Sequence, residues 1–116
     1  MISAVLQADK QSAEDDKILV AAAQALLQKI PPLKHLYIVD TDIDPHSVED
    51  VLWAMTTRFQ ADIDFYPQRS ERRFMPDPSQ WPPYREDPQE LPMKALFDCT
   101  VPFKLKNIFR RAFQPN

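Results

Sequence analysis

The apolar residues of this chain recur in two helical patterns. The first begins near Ser12, a residue type that favours helix N-caps, and ends at Pro31, because proline lacks the backbone N–H that a helix needs. The second follows Asp44 and Pro45, a sequence typical of an N-cap with proline in the first helical position. Both patterns predict amphipathic helices that pack on a core. The apolar positions are Ile18, Leu19, Ala22, Ala25 and Leu26 in the first helix and Val48, Val51, Leu52, Met55 and Phe59 in the second.

Four shorter stretches are typical of β-strands. Residues 35–39 form an apolar, β-branched run, as expected for a buried parallel strand. The other predicted strands are residues 2–7, 61–66 and 94–97. Because strands and helices alternate, the sequence predicts the α/β class, with a small open, mostly parallel sheet flanked by helices and joined by right-handed crossovers.

Two further segments complete the chain, which we expect to form a single domain over residues 1–116. Residues 67–92 contain seven of the 12 prolines and predict a long Pro-rich loop. Residues 103–113 carry apolar side chains on one side and cations on the other. They predict a C-terminal helix with a solvated basic face.

The composition narrows the possible classes of function. The chain contains no glycine, so a Gly-rich phosphate-binding loop is excluded. The formal net charge of −3 gives no reason to expect a nucleic-acid or membrane partner. A single cysteine, with no apolar run long enough to cross a bilayer and no secretory signal pattern, favours a cytoplasmic protein.

Asp40, Asp42 and Asp44 alternate in the turn between the second predicted strand and the second predicted helix. The pattern begins like a calcium-binding loop, but Pro45 and Val51 stand where that loop needs glycine and glutamate. Aspartates in such a turn commonly accept local backbone hydrogen bonds. They also lie where clefts form, at the carboxyl ends of parallel strands. We therefore expect a turn, cleft or interface role rather than a metal site.

Other reactive residue types lack a catalytic pattern. His35 and His46 have no second ligand at zinc-binding spacing, and Cys99, just after a strand, is typical of a small core residue. Arg58 ends the second helix, where a cation satisfies the last carbonyls, and Trp53 lies beside the apolar stripe. The residues alone thus indicate a domain without a self-sufficient active site.

Two segments resemble the C-terminal domain of the UbiD-type decarboxylases. IVDTDIDPHSVEDVLWAMTTR, residues 38–58, resembles that family's strand, acid-rich turn and helix ending in Trp-Ala-x-x-Thr-Arg. MKALFDCTVPF, residues 93–103, resembles the segment that follows the family's last strand. Between them, residues 75–79, Met-Pro-Asp-Pro-Ser, are similar to a Leu-Asp-Pro-Ser element in which the leucine is replaced. The order and spacing agree over residues 1–105.

The resemblance implies a stand-alone subunit, or an excised domain, of an aromatic-acid decarboxylase or carboxylase. Prenylated FMN and its metal ions would then be held by a larger catalytic subunit or a missing domain, with no cofactor and no catalytic residue in this chain. This domain would complete the substrate cleft or a homo- or hetero-oligomer. The candidate cleft or interface residues are Asp40, Asp42, Asp44, Trp53, Arg58, Asp98, Thr100 and Phe103, with Val101 and Pro102 beside Phe103 as apolar contacts to an aromatic substrate.

Two other functions remain compatible with these residues. A binding or regulatory module that kept the fold without the enzyme would associate with itself or with a partner unrelated to flavin chemistry. An autonomous small enzyme would use Asp40, Asp42 and Asp98 directly and would turn over without a cofactor. Co-purification with a flavin-bearing partner separates the decarboxylase subunit from the first alternative, and turnover by the isolated chain would identify the second.

Overall fold

The computed structural model describes residues 1–73, 77–80, 91–109 and 111. Within these ranges the chain forms four strands, two α-helices and two short 3-10 helices. The strands are β1 (Ile2–Gln7), β2 (Leu33–Val39), β3 (Phe65–Arg69) and β4 (Met93–Cys99), the α-helices are α1 (Asp15–Lys29) and α2 (Val48–Thr57), and the 3-10 helices are Pro78–Gln80 and Phe103–Leu105. No helix among the described residues is long and apolar enough to cross a membrane.

The four strands form one sheet in the order β1-β2-β4-β3. β1, β2 and β4 are parallel, whereas β3 pairs antiparallel with the outer side of β4. Tyr37 in β2 lies between Val5 of β1 and Phe97 of β4, so β2 is an interior strand. The predicted α/β class with a mostly parallel sheet is confirmed, and the antiparallel edge strand is the feature that the pattern did not predict.

The two α-helices cover opposite faces of the sheet. Side chains alternate between faces along a strand, and in β2 Leu36 and Ile38 pack in one apolar cluster while Tyr37 and Val39 pack in the other. The α1 cluster contains Ala23, Leu27, Leu33, Leu36, Ile38 and Leu96. The α2 cluster contains Val39, Ile43, Val51, Ala54 and Cys99. The carboxyl ends of β2 and β4 lie beside the second cluster.

The second helix begins later than the sequence pattern predicts. Its N-cap is Ser47, whose hydroxyl accepts a hydrogen bond from the backbone N–H of Asp50 at 3.2 Å. Asp44, the predicted cap, instead accepts the N–H of His46 at 2.9 Å in the preceding turn. The prediction of the cap was wrong because both residues satisfy the local rule and only one lies at the helix start.

The third strand also lies later than predicted. Residues 61–63 form a turn in which the N–H of Ile63 donates to the carbonyl of Gln60 at 3.1 Å, and β3 starts at Phe65. Pro67, the first residue of the predicted Pro-rich loop, lies inside β3, where an edge strand tolerates proline. Of the rest of that loop, Pro78–Gln80 is a 3-10 helix, and residues 74–76 and 81–90 lie outside the described residues.

The predicted C-terminal helix is not an α-helix in its described part. Phe103–Leu105 is a 3-10 helix followed by turns through residue 109, and residues 110, 112 and 113 lie outside the described residues. An amphipathic helix is stabilised mainly by burial of its apolar face. Ile108 and Phe109, on the predicted apolar face, are 72% and 56% exposed, so that stabilisation is largely missing.

Candidate cleft at the carboxyl edge of the sheet

The two sequence segments that carry the candidate residues meet at one edge of the sheet. Val39, the last residue of β2, pairs with Cys99, the last residue of β4. The chain beyond each strand therefore leaves from the same place, and the backbone N–H of Val101 donates to Oδ2 of Asp40 at 3.0 Å. This hydrogen bond joins residues 61 positions apart.

Arg58 binds two of the three alternating aspartates. Its Nη1 donates to Oδ2 of Asp40 at 2.9 Å and to Oδ1 of Asp42 at 2.7 Å, and its Nη2 donates to Oδ2 of Asp42 at 2.7 Å. The side chain of Arg58 is only 6% exposed. Its backbone N–H ends α2 by donating to the carbonyl of Ala54, but its guanidinium fixes the aspartate turn rather than the helix end.

The two aspartates that share Arg58 differ in acidity. Hydrogen bonding to Arg58 holds the pKa of Asp42 below its ordinary value. Burial raises the pKa of Asp40, although the N–H of Val101 and the charge of Arg58 both act in the opposite direction. A single buried guanidinium thus contacts one carboxyl group whose pKa is lowered and one whose pKa is raised.

A groove of about 360 Å³ lies between α2 and the segment that follows β4. Five of the predicted residues line it, and most of the lining is apolar. The predicted lining residues are Trp53, Arg58 and Thr100, together with Val101 and Pro102, and the residues that the sequence did not point to are Thr57, Leu105 and Phe109. The size falls at the lower end of the range for small-molecule sites.

Two guanidinium groups approach the indole of Trp53. The Cζ atom of Arg111 lies 4.3 Å from the ring centroid, and that of Arg58 lies 5.3 Å from it. Both distances are within the range of cation–π attraction. Trp53 therefore contacts both Arg58, which binds the aspartate turn, and Arg111, which belongs to the segment after β4.

The other predicted residues lie away from the groove. Asp98 accepts the N–H of Thr100 at 3.1 Å and lines a separate cavity together with Lys10 and Asp64. Asp44 belongs to the turn before α2, and Phe103 has its N–H bound to Asp16 at 3.1 Å. That Asp40, Asp42 and Asp98 face a cofactor-bearing partner stays a prediction.

Sequence reasoning missed two cations that organise this edge. Lys10 is buried, pairs with Asp16 at 2.7 Å and donates to the carbonyl of Val101 at 3.1 Å. Arg111 pairs with Asp50 at 2.9 Å. No local pattern marks either one, since Lys10 lies in a polar connection and Arg111 lies in a stretch that predicted a solvated basic face. Their partners are defined only by the tertiary fold.

The charged side chains around the aspartate turn pair with one another rather than being arranged to hold a metal ion or the phosphate of prenylated FMN. Among the described residues, no three His, Cys, Asp or Glu side chains are grouped to hold a metal. Lys10, Arg58 and Arg111, the buried cations around the turn, are each paired with an aspartate. Carboxylates and cations that neutralise each other in this way leave little charge for a metal or a phosphate.

The fold is that of a known family. Residues 2–99 match the 3-octaprenyl-4-hydroxybenzoate carboxy-lyase C-terminal domain, and the chain belongs to this UbiD C-terminal domain family. The resemblance seen in the two sequence segments is therefore confirmed. Gallate decarboxylase of Lactiplantibacillus plantarum is 36% identical over 113 residues, which cover 93% of this chain and 23% of the relative.

Two solved structures share the fold over almost the whole chain. The apo 3,4-dihydroxybenzoic acid decarboxylase of Klebsiella pneumoniae has a TM-score of 0.84 and 36% identity, covering 98% of this chain and 24% of that one. A UbiD-class enzyme of Pelotomaculum thermopropionicum, solved in complex with FMN, has a TM-score of 0.73 and 28% identity, covering 97% and 23%. The chain thus spans about a quarter of the length of the proteins it matches.

Proposed function

We propose that this chain acts as the C-terminal domain of a UbiD-type decarboxylase or carboxylase of aromatic acids, where it forms one wall of the substrate cleft. A larger part, carrying prenylated FMN and its metal ions, supplies the catalytic residues and the opposite wall. The observation that carries the proposal is the mostly apolar groove at the carboxyl edge of β2 and β4, bordered by Trp53 and Arg58. The names of two similar proteins, for gallate and for 3,4-dihydroxybenzoic acid, support an aromatic substrate.

In this role the domain shapes the cleft and excludes water. The side chains of Trp53, Leu105 and Phe109 offer the apolar contact that an aromatic ring prefers. Arg58 already donates to Asp40 and Asp42, so it serves as a fixed part of the wall rather than a proton donor. Positioning and water exclusion by a domain without catalytic groups still affect the rate of the reaction.

Co-purification from the native host tests the proposal. The tagged chain is isolated, its companions are identified by mass spectrometry, and the absorbance spectrum is recorded in the flavin region. We expect a UbiD-type catalytic protein with a modified flavin, and release of CO₂ from 3,4-dihydroxybenzoate or gallate. A colourless chain recovered alone, or with a partner unrelated to flavin chemistry, would instead indicate the binding or regulatory module.

A groove variant tests the cleft role in the recovered assembly. Leu105→Arg places a charge in the groove, and we expect the decarboxylation rate to fall by about tenfold or more, equivalent to about 1.4 kcal/mol of transition-state stabilisation. The matched control is Ile18→Arg, on the exposed face of α1 away from the groove. Equal rates for the two variants would show that the groove does not border the substrate.

A further inference from the structure

The segment after β4 is anchored firmly where it leaves the sheet. We call residues 101–109 and 111 the strap. At its near end, the N–H of Val101 is bound to Asp40 at 3.0 Å and the carbonyl of Val101 accepts the buried ammonium of Lys10 at 3.1 Å. These contacts join the start of the strap to the ends of β1 and β2. The near end therefore moves only with the sheet.

The far half of the strap buries little apolar surface. Its backbone hydrogen bonds are local, from the N–H groups of Ile108 and Phe109 to the carbonyl of Leu105 at 2.9 and 3.0 Å. Both Ile108 and Phe109 are mostly exposed. Segments of this kind, with local bonds and few buried contacts, open at low free-energy cost unless something else holds them.

Arg111 supplies a strong attachment at that far end. Its Nη1 lies 2.9 and 3.0 Å from the two carboxylate oxygens of Asp50 and donates to the backbone carbonyl of Asp42 at 3.0 Å. The side chains of Arg111 and Asp50 are both only 9% exposed, and the guanidinium lies against the ring of Trp53. Three polar contacts and the indole thus hold Arg111 on α2, and removal of the guanidinium would leave the buried carboxylate of Asp50 without its cation.

Asp50 is held in place independently of the strap. It lies in the first turn of α2, where the helix dipole favours a carboxylate, and its Oδ2 accepts the N–H of Asp44 at 2.6 Å. The acceptor for Arg111 is therefore already formed on the body of the domain. If the strap leaves α2, the carboxylate of Asp50 stays in place, and Arg111 can bind it again when the strap returns.

We propose that Arg111 is a latch that holds the strap on α2, and that release of its ion pair with Asp50 opens the groove. Leu105 and Phe109 belong to the strap, whereas Trp53 and Thr57, which line the same groove, belong to α2. Movement of the far half therefore separates these two sides of the groove and further exposes the indole of Trp53, which is 36% exposed when the strap is in place. The latch is a property of this chain alone, so it does not depend on the proposed decarboxylase function.

Amide hydrogen exchange on the full chain, followed residue by residue by NMR, tests the latch. In Arg111→Gln we expect the amides of Ile108 and Phe109 to exchange at least about tenfold faster, while those of Leu36 and Leu96 in the sheet keep their protection. The matched control is Lys104→Gln, which replaces an exposed cation on the same strap and should leave exchange almost unchanged.

A second readout follows the opening of the groove itself. In a Trp81→Phe background, which leaves Trp53 as the only tryptophan in the sequence, Arg111→Gln should increase acrylamide quenching of the indole, and Arg111→Lys should increase it less. Unchanged exchange and quenching in a folded Arg111→Gln chain would overturn the latch. Loss of sheet protection in both Arg111 variants would also overturn it, because Arg111 would then be a residue of global stability.

Discussion

At the scale of single residues, Asp40 and Asp42 have different pKa values although both are hydrogen-bonded to Arg58. The guanidinium is buried and holds Asp40 and Asp42 together, although their charges repel. The pKa of Asp42 is lowered chiefly by hydrogen bonding to Arg58, and the pKa of Asp40 is raised chiefly by burial. The two carboxyl groups therefore contribute to stability with opposite dependence on pH.

We predict opposite pH trends for Asp42→Asn and Asp40→Asn. Because the pKa of folded Asp42 lies below the ordinary 3.8, its contribution is present above pH 3.8 and is lost as the pH falls through the folded pKa. The loss of unfolding free energy in Asp42→Asn should thus be larger at pH 7 than at pH 3. Because the pKa of Asp40 is raised above 3.8, the loss in Asp40→Asn should shrink as the pH rises through that pKa.

Urea denaturation of both variants and the parent chain at pH 3, 5 and 7 measures these trends. The comparison is internally controlled, since the two substitutions change the same functional group in the same turn. Trends of equal sign would contradict the assigned environments of the two aspartates.

The thiol of Cys99 is predicted to be inert in the folded chain. Cys99 is fully buried, and burial together with the charges of Asp98, Asp64 and Asp40 raises its pKa to about 12. Since the thiolate is the reactive form, labelling by iodoacetamide at pH 8 should be roughly 100-fold slower in the native chain than in urea. Mass spectrometry of timed samples gives both rates, and equal rates would show that the thiol is accessible.

At the scale of elements, the end of α1 shows how a chain without glycine completes a helix. Glycine is the usual residue after a helix, because it adopts the left-handed conformation that closes the last carbonyls. Here Lys94 of β4 reaches the helix end, and its Nζ donates to the carbonyls of Leu27 at 2.6 Å and Ile30 at 2.9 Å. Its side chain is among the largest fully buried ones, and burial lowers its pKa.

Lys94→Met should lower the free energy of unfolding by about 3 kcal/mol, because buried carbonyls lose a charged donor. Lys29→Met, at the exposed last turn of the same helix, is the control and should change it by less than about 0.5 kcal/mol. Urea denaturation monitored by circular dichroism measures both. Similar values for the two variants would mean that the ammonium of Lys94 is not needed at the helix end.

The apolar pattern predicted the existence of both helices and of β1 and β2, but it misassigned part of the core-facing side of each helix. Ile18 of α1 and Val48 and Leu52 of α2, which the pattern placed against the core, are 59%, 75% and 55% exposed. β1 has the predicted bounds, and β2 contains the predicted run 35–39 and adds Leu33 and Lys34. The start of α2 was misplaced because Asp44 and Ser47 are both good caps. The region 103–109 has a helical pattern without the burial that would stabilise a helix. Local patterns cannot distinguish such cases, because the deciding contacts come from other elements.

At the scale of the whole molecule, one aromatic side chain connects three strands and a loop. The ring centroid of Phe97 in β4 lies 4.7 Å from that of Tyr37, 5.2 Å from that of Phe65 and 5.8 Å from that of Phe59. Tyr37 belongs to β2, Phe65 belongs to β3, and Phe59 follows α2. The ring therefore couples the parallel centre of the sheet to its antiparallel edge.

Phe97→Ala should cost about 2–3 kcal/mol of unfolding free energy, less than a fully buried phenylalanine because the ring is half-buried. Phe65→Ala, at the exposed edge strand, is the matched control and should cost about 1 kcal/mol. Thermal and urea unfolding of the two variants provide the comparison. An equal loss of unfolding free energy in the two variants would show that the contacts of Phe97 with the other elements do not add to stability.

The candidate site was only partly predictable for a similar reason. Trp53, Arg58 and Thr100 lie in segments with a recognisable pattern, and they do line the groove. The pairing of Arg111 with Asp50 joins residues 61 positions apart, and no local rule selects one aspartate among many. Asp98 lines another cavity, and its sequence neighbour Thr100 lines both that cavity and the groove. Which cavity a residue at the end of a strand lines depends on the tertiary fold, and a linear sequence pattern does not contain that information.

The pairing of β2 with β4 also sets the stage of folding at which the groove forms. Closing a chain loop costs free energy, and this cost rises by only about 0.6 kcal/mol for each doubling of loop length. The length of the connection before β4 therefore has only a small effect on stability. Contacts between distant residues nevertheless form slowly. Because β1, α1 and β2 are synthesised first, they can associate while β4 is still unmade. We expect pulsed hydrogen exchange during refolding to protect the amide of Leu6 before that of Leu96, with the groove walls assembling only after β4 has paired with β2.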